Sequence, residues 1–308
     1  MPTFSLDRLD LSLASLGGLA ILLAAGFAIY VALLVAMTIV RFVRPPRRTY
    51  AWAIARTLPG DPREACDAEF EDVGEQLLPG EGIAAWSING LEPDGPVIIA
   101  SHGWGSGRIE MLGRLAALLP LASRVILWDM PGHGESSGVC LLGARASKLL
   151  GRMIDAQDRG VVLYGWSLGA EVSLLAARGR GEGVRGVVIE GAYRRGVTPA
   201  ARLMRISGAP AGLNLTPALA LIGLASGDPL GRFRDLADAA KRVGAPLLAL
   251  HASKDWVSPP TDTLAIVDAT GGRFVEIDGA DHWNVWSVEQ TRGVAAEAIS
   301  AFVRSLRV

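Results

Sequence analysis

One ten-residue stretch constrains this chain more than any other: Val161-Val162-Leu163-Tyr164-Gly165-Trp166-Ser167-Leu168-Gly169-Ala170. A short apolar run passes through Gly-x-Ser-x-Gly directly into a segment of good helix formers. The run reads as a strand buried on both faces. A turn that swings straight from such a strand into a helix forces its apex residue into strained backbone angles. The flanking positions must then lack side chains, because strand and helix crowd together there. Gly165 and Gly169 meet that need. Ser167 is left with its hydroxyl at the top of a sheet, and the N–H of Leu168 lies at a helix N-terminus, where negative charge is favoured. A bare Gly-x-Ser-x-Gly also arises by chance, so its meaning depends on partners elsewhere in the chain.

With 308 residues, 50% of them hydrophobic, the chain can form one core domain of roughly 250 residues plus an appendage. A formal net charge of −1 offers no argument for a nucleic-acid partner. Cys66 and Cys140 form no CxxC pair, so neither a disulfide framework nor a structural zinc site is expected. No metal and no organic cofactor is expected. The four histidines are His102, His133, His251 and His282.

The appendage lies at the N-terminus. From Leu11 to Val40 no residue is charged, and Leu, Ala, Val and Ile dominate. A bilayer core needs roughly 20 apolar residues as helix, so residues 11–40 can span it with tilt to spare. A signal peptide would need a basic start and a shorter apolar core, whereas this chain begins with Asp7-Arg8-Leu9-Asp10 ahead of the run. Arg41, Arg44, Arg47 and Arg48 follow the run and only Arg8 precedes it. Positive flanks stay cytoplasmic, so the expectation is a single-pass membrane protein with its catalytic domain on the cytoplasmic side. Ala20, Ala24, Ala28, Ala32 and Ala36 recur every fourth residue, a stripe that would permit a weak homodimer through the helix. Pro45-Pro46 stops the helix, and Tyr50 and Trp52 follow at headgroup depth. The expected organisation is an N-terminal tail (1–10), a transmembrane helix (11–40), a basic and in part helical juxtamembrane linker (41–66) and a globular domain (67–308).

In the globular part, strand candidates at 68–73, 82–88, 97–100, 125–128, 161–164, 187–189, 247–250 and 274–277 alternate with helical segments near 108–119, 141–157, 168–178, 231–242, 261–269 and 287–305. This alternation predicts an α/β fold with a mostly parallel sheet covered on both faces. Active sites of such sheets gather at the carboxyl ends of the strands. Two further loops at those ends are informative: Ser101-His102-Gly103-Trp104-Gly105-Ser106-Gly107 and Asp129-Met130-Pro131-Gly132-His133-Gly134-Glu135-Ser136.

Together these loops and the Gly-Trp-Ser-Leu-Gly turn resemble the α/β-hydrolase superfamily over roughly residues 68–308. His-Gly-Trp-Gly is similar to its oxyanion loop, and Asp-Met-Pro-Gly-His-Gly-Glu-Ser to its loop after the next strand. In that family the order is serine, acid, histidine. Here Ser167 is followed by His251-Ala252-Ser253-Lys254-Asp255-Trp256-Val257, which resembles the acid loop, and by Gly279-Ala280-Asp281-His282-Trp283, which resembles the histidine loop. The resemblance is greatest to membrane-anchored and serine-aminopeptidase-like hydrolases, a group that includes monoacylglycerol lipases. It implies an eight-stranded sheet, with a cap at about 191–230.

The roles it implies follow from chemistry. A serine hydroxyl is a poor nucleophile until an imidazole takes its proton. His282 is the expected base, and Asp255 the acid that orients it. Glu190, ending an earlier strand, is the alternative acid, because some family members take it from there. The backbone N–H groups of Trp104 and Leu168 are the expected oxyanion donors. His102, His133 and His251 read as structural, and Asp281 as a turn residue. A serine at the elbow argues against dehalogenases and epoxide hydrolases, which resemble this fold but place an aspartate there. The expected substrate is a small-molecule or lipid ester, the apolar segment Pro199–Ser226 suiting an acyl chain. A peptidase or amidase with the same triad and a non-catalytic membrane scaffold are the rival expectations.

Overall fold

The computed structural model describes residues 13–228 and 230–306. The expected tail (1–10) and the first residues of the expected span lie outside them. Helix α1 (Leu13–Val43) is one continuous rod of 31 residues that ends before Pro45, about 46 Å long at the usual rise. Every residue from 16 to 30 is exposed, including all of Leu19, Leu22, Phe27 and Ile29. Closer to its end one face turns inward: Leu34 and Val35 are half-buried, and Thr38 and Phe42 are buried. The five alanines of the stripe are all exposed.

The linker holds two short helices, α2 (Tyr50–Ile54) and α3 (Pro62–Cys66). Each begins where a side chain can accept an orphan N–H: Thr49 from Trp52, and Asp61 from Glu64.

Eight strands follow: β1 (Phe70–Asp72), β2 (Ala85–Asn89), β3 (Val97–Ser101), β4 (Arg124–Trp128), β5 (Val161–Trp166), β6 (Val184–Glu190), β7 (Leu247–Ala252) and β8 (Arg273–Ile277). They form one sheet in the order β1-β2-β4-β3-β5-β6-β7-β8. The β1–β2 and β2–β4 pairs are antiparallel, and all the others are parallel. Every residue of β3 and β5 is buried, as their near-continuous apolar sequences require. Because successive side chains point to opposite faces, Leu163, Val187 and Ala249 enter one core and Val162, Val188 and Leu248 the other.

The helices that supply the rest of those cores are α4 (Gly74–Leu77), α5 (Leu115–Leu118), α6 (Ala144–Asp155), α7 (Leu168–Ala177), α8 (Val197–Ile206), α9 (Leu215–Ala225), α10 (Leu236–Ala240), α11 (Pro260–Thr270) and α12 (Glu289–Ser305). Two expected helices are broken. The 108–119 segment is a tight 3-10 turn, Arg108–Arg114, followed by one α turn that Pro120 prevents from continuing. Within 231–242 the chain restarts at Asp235, whose carboxylate caps Ala237 N–H. Helices α8 and α9 occupy the expected cap region between β6 and β7, and α9 packs against the second half of α1.

Candidate active site

The elbow has the strain its sequence requires. Ser167 sits between β5 and α7 with φ 53° and ψ −112°, a conformation that L residues rarely adopt. A Cβ on Gly169 would stand 2.1 Å from Ser101 O, so β3 and α7 approach as closely as they do only because that side chain is missing. Ser167 N–H donates to Glu190 O at 2.8 Å, pinning the apex to β6.

Two loops bring partners to the serine. The loop after β8 carries His282, whose Nε2 is 3.0 Å from Ser167 Oγ. The loop after β7 carries Asp255, whose Oδ2 is 2.6 Å from His282 Nδ1. The other carboxylate oxygen of Asp255 accepts the N–H groups of Val257 (2.9 Å) and Ser258 (2.7 Å). An ionised carboxylate can only accept, so Nδ1 carries the imidazole proton and Nε2 is left bare toward the serine hydroxyl. All three side chains are buried, Ser167 at 8% exposure.

The expected oxyanion donors are Leu168 N–H, next in sequence to the elbow serine, and Trp104 N–H, one residue beyond Gly103. Gly103 lies against the elbow, a Cβ there falling 3.4 Å from that of Ser167. Among the described residues, neither Trp104 N–H nor Leu168 N–H has an acceptor. The Leu168 N–H also stands at the positive end of the α7 dipole.

The remaining candidates fall elsewhere. Glu190, the alternative acid, is buried against Arg114 (Nη2 to Oε1, 2.8 Å), and it also accepts from Tyr164 OH and from Trp286 Nε1 at 2.9 Å. Its carboxylate is thereby committed to that cluster. Asp281 is a turn residue, accepting from the N–H groups of Trp283 and Asn284. His102 braces the loops, its Nε2 accepting Met130 N–H at 3.0 Å, and packs edge-on against His133 at 4.9 Å. Burial holds His102 well below the usual histidine range, with His133 adding to the effect. Burial likewise brings His133 down to about 4. His251 approaches Asp255 Oδ2 only to 3.7 Å, and burial lowers it too.

Some residues escaped the sequence reading. Trp166, the variable position of the Gly-x-Ser motif, donates its indole N–H to His282 O at 3.1 Å and so fixes the histidine loop to the elbow. Arg114 lies with its guanidinium 5.1 Å from the Trp166 ring. Nothing in the local pattern near either residue announced these contacts, which join segments over 50 positions apart. Among the described residues, no group of three or more His, Cys, Asp or Glu is placed to hold a metal, and both cysteines are free thiols.

Comparison with known proteins gives the same frame. A pimeloyl-[acyl-carrier protein] methyl ester esterase from Methylococcus capsulatus is 36% identical over 87 residues, 27% of this chain and 32% of that protein. This chain thus spans about a third of that relative's length. Among solved structures, an esterase of Pyrococcus furiosus superposes with a TM-score of 0.65 at 17% identity, covering 86% of this chain and 98% of its own. A bacterial membrane phospholipase A superposes at 0.60 with 17% identity, covering 95% of this chain and 98% of its own. At such identities the likeness is one of fold. The sequence model of the alpha/beta hydrolase family, however, matches residues 97–297, well over half of the chain, from β3 into α12. Sheet order, elbow and family match agree, and the chain belongs to the alpha/beta hydrolase family.

Proposed function

We propose that this chain is a membrane-anchored serine hydrolase that cleaves carboxylic esters through an acyl-enzyme. The observation that carries the reading is the continuous line from Ser167 Oγ through His282 to Asp255, with contacts of 3.0 and 2.6 Å, on a strained elbow. The ester chemistry of the Methylococcus relative and the esterase fold of the Pyrococcus structure support it.

The geometry supports the following steps. Ser167 Oγ attacks the ester carbonyl carbon while His282 Nε2 takes its proton. Asp255 stays ionised, keeps the proton on Nδ1 and stabilises the imidazolium that forms. The carbonyl oxygen becomes an oxyanion, which the N–H groups of Leu168 and Trp104 receive. Such donors contribute roughly 3–4 kcal/mol each to the transition state. Collapse breaks the bond to the alcohol, which departs with the proton from His282 while the acyl group stays on Ser167. Water then attacks that acyl group while His282 takes its proton; the bond to Ser167 Oγ breaks, Oγ takes the proton back from His282, and the carboxylic acid is released.

The anchor reading rests on the apolar stretch Leu16–Val43, 28 residues that contain an 18-residue window with a mean hydropathy of 2.7. The four arginines behind it favour a cytoplasmic catalytic domain. The match to a membrane phospholipase A, over 95% of this chain, leaves too little uncovered to exclude α1 and adds support. A tether at the bilayer raises the effective concentration of any membrane-dissolved substrate. The cap also presents Ile206, Leu213, Leu221 and Leu224 outward. These features favour lipid-like acyl esters. The test compares acyl esters of rising chain length with aminoacyl arylamides on the full-length protein. The rate is expected to climb with chain length. Faster cleavage of the arylamides would make the chain a peptidase or amidase instead.

A further inference from the structure

Helix α1 does not end in solvent. Its last turn and the residues behind it run into the cleft between the loop after β3 and the loop after β4. Phe42 is 2% exposed. Its ring lies 5.6 Å from that of Trp104, and its carbonyl accepts the Trp104 indole N–H at 3.1 Å. Further along, Pro46 Cδ is 3.6 Å from where a Cβ on Gly105 would stand, and Arg48 O is 3.0 Å from one on Gly107. Arg48 then pairs with Glu110 at 3.6 Å. Residues 42–48 therefore follow residues 104–110 in order.

The other flank is tied down as well. Val43 O accepts Cys140 N–H at 3.0 Å. Arg47 Nη1 donates to Gly134 O (3.1 Å) and to Ser136 O (2.8 Å). The chain leaving α1 is thus wedged between the loop after β3 and the loop after β4.

Past His102, which is braced by Met130 N–H, the loop it touches has little stiffness of its own. Gly103, Gly105 and Gly107 alternate through it, and glycine backbone is the most permissive there is. Its one internal backbone bond is Ser106 N–H to Gly103 O at 3.2 Å. An oxyanion donor must nevertheless be fixed before the charge develops, and displacement by about 1 Å can cost a hundredfold in rate. The side chain of the donor residue itself is what α1 grips.

We propose that the end of α1 is a positioning element of the active site. Phe42, through its carbonyl and its ring, holds the Trp104 peptide so that its N–H faces the oxyanion. The inference rests on reading Trp104 N–H as an oxyanion donor, and it holds whether or not α1 lies in a bilayer. It makes the anchor part of the catalytic apparatus rather than a detachable tether.

The test uses the full-length protein and a short, water-soluble ester, with rates expressed per site titrated to completion by a fluorophosphonate. Trp104→Phe removes the indole donor and keeps an aromatic ring. It is expected to lower kcat roughly tenfold while KM stays within about twofold. Affinity for a trifluoromethyl ketone, whose adduct on the serine carries the oxyanion, is expected to fall by the same factor. Phe42→Ala removes only the ring support and is expected to act in the same direction; should Trp104→Phe fail to fold, it carries the test alone. The double variant is expected to lose less than the product of the two losses, because both act through one peptide. A merely structural contact would reduce the number of titrated sites and leave kcat per site and ketone affinity unchanged; that result overturns the proposal. A rise in KM alone overturns it too. Turnover that survives Ser167→Ala in the same assay would instead overturn the active-site reading beneath it, and the proposal with it.

Discussion

Glu190 ends the strand beside the elbow with its carboxylate 2.8 Å from the Arg114 guanidinium, and both side chains are buried. That pairing sets Glu190, the alternative acid, apart from Asp255, the acid that the sequence favours. Asp255 touches the imidazole and Glu190 neutralises a buried cation.

The division predicts opposite phenotypes. Asp255→Asn is expected to lower kcat by about four orders of magnitude with folding intact, through loss of the orienting carboxylate. Glu190→Ala is expected to cost about 3–5 kcal/mol of stability, because it leaves Arg114 buried without its counter-charge. Steady-state kinetics beside urea unfolding of both variants checks this. A mild Asp255→Asn with a folded, inactive Glu190→Gln would move the acid to β6.

Acid sensitivity is expected to have a named source. His133 titrates near 4 in the fold because burial disfavours its charged form, against about 6.5 in an unfolded chain. Its folded value is depressed, so unfolding takes up a proton between those limits. Its contribution is then fully present above about pH 6.5 and is lost as pH falls toward 4. Asp129, raised by burial to about 6 despite Arg108, works the other way as pH falls. Comparison with His133→Gln isolates the histidine: the drop in unfolding free energy from pH 7 to 4.5 is expected to shrink by about 2–3 kcal/mol. Parallel curves for the two proteins would refute this.

The elbow glycine gives a steric prediction. A methyl on Gly169 would meet Ser101 O at 2.1 Å, a backbone atom that cannot swing aside. Gly169→Ala is therefore expected to destabilise the domain by about 1–3 kcal/mol and to reduce turnover by shifting α7. Wild-type melting and kinetics in that variant would mean that the elbow is looser than its geometry.

Much of this was readable from the chain. The buried strands announce themselves because a run such as Val161–Tyr164 satisfies both faces of a parallel sheet. Ser167 and His282 were readable from short motifs, and the bonds between them and Asp255 came only with the fold. What stayed hidden depends on contacts between distant segments. The spacing of 108–119 looked helical, but it folds as a 3-10 turn and one α turn that Pro120 ends. The motif order already favoured Asp255, but the pairing of Glu190 with Arg114, 76 positions away, was not legible. The docking of Phe42 on Trp104 joins residues 62 apart, and neither local pattern implies it.

Orientation in the membrane is a separate expectation. Four arginines behind α1 predict that a phosphatase reporter fused at the C-terminus stays inactive while a fluorescent reporter folds in the cytoplasm. An active phosphatase would reverse the assigned orientation and leave the active-site chemistry untouched.

The central claim is that Ser167 is the nucleophile, activated by His282 and Asp255. Its most direct measurement is to label the full-length protein with a fluorophosphonate and locate the adduct by peptide mass spectrometry. One adduct at Ser167 is expected, absent from Ser167→Ala and slowed in Asp255→Asn. An adduct on another residue, or undiminished labelling of Ser167→Ala, would contradict the account.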